Sequence, residues 1–68
     1  MLIEIHGDVW LVSEIIAICL DEPIKEEWQI SLRIRGVEEL QCYDMDSEGQ
    51  AKAKHLEMIA TWKAVLNT

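Results

Sequence analysis

The chain has 68 residues, half of them apolar and 28% charged, and its thirteen acidic residues against six basic ones leave a formal net charge of −7. That is the composition of one globular domain and not of a disordered segment. It excludes a basic footprint for nucleic acid and attraction to anionic lipid, and no stretch reaches the ~18 apolar residues a membrane span needs.

From the N-terminus, Leu2 to Ile5 reads as a short strand, His6-Gly7-Asp8 as a turn and Val9-Trp10-Leu11-Val12 as a second short strand. Trp10 falls there in a short strand at an edge; exposed, it would make a good binding anchor, and otherwise it packs in the core or at its rim. Ser13-Glu14 supplies a single turn. Ile15-Ile16-Ala17-Ile18-Cys19-Leu20 is apolar in both phases, the pattern of a strand covered on both faces. Asp21-Glu22-Pro23-Ile24-Lys25-Glu26-Glu27 then reads as an acidic, mobile loop.

Trp28, Ile30, Leu32 and Ile34 alternate with polar residues, the period of a half-buried strand whose polar face carries Arg33 and Arg35. Gly36-Val37 marks a hairpin corner. In the next run Leu40 and Cys42 are expected to face the core, with Glu39, Gln41 and Tyr43 facing out. Glu39 or Gln41 would then lie near Arg33 or Arg35.

A helix over about 47–67 follows. Ser47 and Gln50 have capping-box spacing, and Glu48 favours the positive end of the helix dipole. At 100° per residue, Ala51, His55, Met58, Ile59, Trp62, Val65 and Leu66 share one broad stripe, expected to cover the sheet. A narrower stripe holds Ala53, Leu56, Ala60 and Ala64, small enough for a second copy to approach closely.

The expected fold is therefore α+β: an antiparallel β-meander of about four to five strands within residues 2–43, packed against one C-terminal helix, as a single domain over 1–68. The order of segments, from Val12-Ser13-Glu14-Ile15-Ile16 through the alternating Trp28 strand to Leu40-Gln41-Cys42-Tyr43 and a closing helix, is similar to that of small bacterial and phage meander-plus-helix proteins, the flagellar FlbD-type family among them. The resemblance is one of pattern over most of the chain. It implies the fold and transfers no site residue; the acidic stretch around Pro23 and the long helix depart from it.

Motifs with chemistry are few. Asp44-Met45-Asp46-Ser47-Glu48-Gly49 resembles the first half of a calcium loop. Its fifth position is Glu48, however, and His55 stands where a bidentate glutamate should close the site. Cys19, Cys42, His6 and His55 are isolated, without the paired spacing of zinc ligands, and His55 falls on the core stripe. Ser13, Ser31 and Ser47 lie outside any Gly-rich elbow, and no phosphate-cradling loop is present. No enzyme activity, metal or cofactor is expected.

Met1 runs directly into Leu2-Ile3-Glu4-Ile5 without a positive n-region or cleavage site. The two cysteines make no disulfide framework. A cytoplasmic setting with reduced thiols is expected.

A chain this short buries only about 60% of its unfolded surface, so half its residues being apolar points to self-association. The leading expectation is a non-enzymatic interaction domain whose partner is itself, as a homodimer, or another protein. Its interface candidates are Trp10, Ala53, Leu56, Ala60 and Ala64. The alternative is a phage-type acidic inhibitor, anti-CRISPR-like or a nucleic-acid mimic, for a basic site on a nucleic-acid-binding protein. It would present Asp21, Glu22, Glu26, Glu27, Glu38 and Glu39.

Overall fold

In the computed structural model, which describes residues 1–67, the chain reverses first at His6 and Gly7. Both have positive φ, 50° and 85°, the combination that matches a tight hairpin to strand twist. The turn joins β1 (Leu2–Ile5) to β2 (Asp8–Leu11) and sets Ile5 opposite Asp8 and Leu2 opposite Leu11. A 3₁₀ turn over Val12–Glu14 then leads to β3 (Ile15–Ile24), β4 (Glu27–Ile34), β5 (Gln41–Met45) and α1 (Glu48–Leu66). Among the described residues the fold is thus α+β, with five antiparallel strands and one C-terminal helix. The strands form two sheets, β1-β2 and β3-β4-β5, and not one continuous meander.

β3 is longer than expected and covered on one face only. A register break between Ile15 and Ala17 lets Ile15 and Ile18 both point inward, three residues apart, which a regular strand forbids. Ile16 and Cys19 are left exposed. The acidic stretch is not a loop. Asp21 pairs with Gln29 and Ile24 with Glu27, so the chain reverses at Lys25-Glu26. Pro23 is tolerated because β3 is an edge strand and is irregular between Asp21 and Ile24.

β4 keeps its alternation, with Ile30 and Leu32 fully buried. β5 takes the opposite phase to the one expected: Tyr43 is buried, and Cys42 and Leu40 are exposed. The register explains this, because Tyr43 sits opposite the inward Ile30 and directly opposed residues share a face. Gln41 lies opposite Leu32 and Arg33 opposite Ala17, so the cross-strand pairs expected for Arg33 do not form. Gly36, at φ 81°, makes the corner, and Val37 N–H donates to Ile34 O at 3.1 Å. Residues 38–40 then carry the chain to β5.

Ser47 caps α1, its Oγ accepting from Gln50 N–H at 3.1 Å. The Gln50 Oε1 reaches back to Asp46 N–H at 2.9 Å, one residue earlier than in the usual capping box. Ala51 and Met58 are buried, and His55, Ile59, Trp62 and Val65 are half-buried, as the stripe required; Leu66 is exposed. Trp62 Nε1–H donates to Ile15 O at 3.1 Å, fixing the C-terminal half of α1 over the start of β3. One core results, drawn from both sheets and the helix: Ile3, Ile5, Val12, Ile15, Ile18, Ile30, Leu32, Ile34, Tyr43 and Met58.

Candidate interaction surfaces

A polar knot holds the small sheet against the large one. Trp10 Nε1–H donates to the Tyr43 hydroxyl at 2.8 Å, and that hydroxyl donates to Asp8 Oδ2 at 2.8 Å. His6 Nε2 lies 2.6 Å from Asp44 O. A carbonyl only accepts, so this nitrogen carries a proton. Burial, and then the bond to Asp8, raise the Tyr43 pKa above its ordinary value, while the Trp10 N–H pulls the other way. Tyr43 is therefore a neutral phenol bridging two elements. Trp10 is half-buried against the core with its N–H in use, the core-or-rim placement and not the exposed one.

With the knot and core satisfied, apolar side chains are left outside on the β1-β2 hairpin and on α1, and also at Ile16 and Ile24 on β3 and at Leu40 before β5. Alternation turns Ile3, Ile5 and Trp10 inward, so Leu2, Glu4, Val9 and Leu11 share the outer face of the β1-β2 hairpin, in register as Leu2–Leu11 and Glu4–Val9. Met1 is 74% exposed, Leu2 58%, and Val9 and Leu11 53% each. Sequence reasoning missed this face, although apolar residues in both phases of two consecutive strands were its signal. On α1, Ala53, Leu56, Ala60 and Ala64 all face outward, and Leu56 is 71% exposed.

The acidic candidates divide between two ends of the molecule. Asp21, Glu22, Glu26 and Glu27 lie at the tip of the β3-β4 hairpin, whereas Glu38 and Glu39 lie beyond the other end of β4, roughly 20 Å away at strand rise. Asp44 and Asp46 join the first group instead. Glu26, Glu27, Asp44 and Asp46 line one open cleft of about 310 Å³ with Trp28 and Met45. The Lys52 ammonium stands 5.5 Å from the Trp28 ring centre. The calcium-like string does not converge. Asp44 Oδ1 accepts from Gln29 Nε2 at 3.4 Å, Glu48 pairs with Lys52 at 2.6 Å, and Ser47 is spent as the cap. Among the described residues no three His, Cys, Asp or Glu side chains gather in a metal-holding group.

The outer face of the large sheet is built of cross-strand rows: Ala17–Arg33, then Cys19–Ser31–Cys42, then Asp21–Gln29–Asp44. Both cysteines are free and exposed. They stand two strand spacings apart, about 9.6 Å, beyond the ~7 Å Cα limit for a disulfide. Ser31, between them, is buried under its neighbours, with its hydroxyl 3.7 Å from Cys42 Sγ.

No described helix is long and apolar enough to cross a membrane. Compared with protein-family models, with curated proteins and with solved structures, the chain matches none.

Proposed function

We propose that this chain is a small, non-enzymatic protein-interaction domain that associates with itself, in a reducing cytoplasm and without a cofactor. The observation that carries this reading is the outward apolar surface. Met1, Leu2, Val9 and Leu11 on the hairpin and Leu56 on α1 are each more than half exposed, and side chains clustered in this way mark contact surfaces. Sedimentation equilibrium across a dilution series tests it. The expected result is a mass of at least twice 7.9 kDa, falling when Leu56→Asp or Leu2→Asp is introduced. A constant monomer mass up to high concentration counts against it.

The acidic cleft favours a second reading, in which the chain occupies the basic site of a nucleic-acid-binding protein. Four carboxylates with an aromatic wall suit arginine and lysine side chains. Salt-sensitive binding to such a protein, lost on Glu26→Lys with Glu27→Lys, would favour it. Binding that ignores both salt and these changes would rule it out.

A further inference from the structure

The outer face of the β3-β4-β5 sheet has an electrostatic direction. On β4, Arg33 stands two residues to one side of Ser31, and Gln29 two residues to the other, about 6.7 Å each way. Gln29 is flanked across the ladder by Asp21 on β3 and Asp44 on β5, each about 4.8 Å to its side. The face therefore carries Arg33 at one end and two aspartates at the other, with the small, uncharged Cys19–Ser31–Cys42 row between them. Among the described residues the ion pairs are Lys52–Glu48 and Lys54–Glu57. Arg33 forms none, as Arg35, Lys25 and Lys63 form none, and it lines an open cleft together with Glu38.

Two simple face-to-face pairings of this surface with a copy of itself are available, and charge chooses between them. A two-fold axis parallel to the strands sets Arg33 over Arg33 and the aspartate row over the aspartate row, which repels. A two-fold axis along the Cys19–Ser31–Cys42 row exchanges the ends. Arg33 of the second copy then comes over Gln29, between Asp21 and Asp44, and the same contact is made in reverse. A guanidinium between two carboxylates uses its planar fork of donors well. The short cysteine and serine side chains on the axis let the sheets meet closer than the usual ~10 Å.

We infer that two copies of this chain pack through this face, about the axis along the Cys19–Ser31–Cys42 row, with Arg33 of each seated between Asp21 and Asp44 of the other. The contact is isologous. It goes beyond the apolar association proposed above and does not depend on it. Pairing about this axis sets Cys19 opposite Cys19 and Cys42 opposite Cys42, a relation the other axis would replace by Cys19 opposite Cys42.

The test uses the full chain, two charge-reversed forms and a short bis-thiol cross-linker. Arg33→Glu alone and the double form Asp21→Arg with Asp44→Arg are each expected to weaken this contact by about 100-fold. Mixed one to one, they should form a heterodimer. The glutamate introduced in the first form then meets the two arginines introduced in the second, whose own Arg33 meets Asp21 and Asp44 of the first. Recovery on mixing also shows that both forms are folded. Cross-links in the wild type should map as 19–19 and 42–42, and should fade as salt rises. Links of the 19–42 type would overturn the axis. Association that persists unchanged in Arg33→Glu but disappears in Leu56→Asp or Leu2→Asp would overturn this face and leave the apolar reading standing. Loss in Arg33→Glu with no recovery on mixing would overturn the pairing. A wild type monomeric at every concentration would overturn both.

Discussion

Replacing Tyr43 by phenylalanine removes one oxygen and with it two of the bonds that tie the β1-β2 hairpin to β5, leaving the bond between His6 Nε2 and Asp44 O in place. The Trp10 indole N–H, half-buried, loses its acceptor, and the Asp8 carboxylate loses a donor. Leaving the N–H unpaired costs about 1 kcal/mol, and the hydroxyl–carboxylate bond contributes about 1 kcal/mol more, because exposed Asp8 recovers water. The sum, about 2 kcal/mol, is close to half of the ~3–5 kcal/mol that a core of this size supplies. With a urea m-value of about 1 kcal/mol/M, the unfolding midpoint should fall by roughly 2 M at fixed protein concentration. A cycle with Asp8→Asn should return a coupling near 1 kcal/mol. Wild-type stability in Tyr43→Phe, with no coupling to Asp8, would refute both the knot and the inward phase of β5.

Three further outcomes follow from local geometry. Ser47→Ala removes the cap on α1 and should lower stability by about 1 kcal/mol in thermal or urea melts. Glu26 holds a left-handed φ of 68° that glycine adopts without strain, so Glu26→Gly should leave the fold intact and raise stability by about 0.5 kcal/mol. The pH response of Tyr43 has a definite sign. Its folded pKa is raised, chiefly by burial, so the unfolded chain gives up this proton first. The stabilisation is complete below about pH 10 and declines as pH rises through the folded value. Melting temperatures between pH 8 and 11 should show that fall, and Tyr43→Phe should abolish this contribution to it.

The helix was legible because its signals agree: a capping serine, good helix formers and one apolar stripe from Ala51 to Val65. Strand β4 was legible because its alternation is strict. Strand β5 was misread because Leu40 and Cys42 compete with Tyr43 for the inner face. The contacts that decide the matter come from Asp8 and Trp10, 35 and 33 residues earlier in the chain. The extension of β3 was hidden by acidic and proline residues that suit an edge strand as well as a loop. The direction of charge on the open sheet face was illegible for a related reason. It exists only once register has set Asp21, Gln29 and Asp44 in one row and Arg33 two positions along from Ser31.

Self-association is tested most directly by small-angle X-ray scattering of the full chain at increasing concentration. One copy has a Cα radius of gyration of 11.7 Å and a mass of 7.9 kDa. The expected result is a forward-scattering mass of at least twice that value, with a radius of gyration of about 14 Å or more. A single-copy mass and radius that do not change with concentration would contradict it.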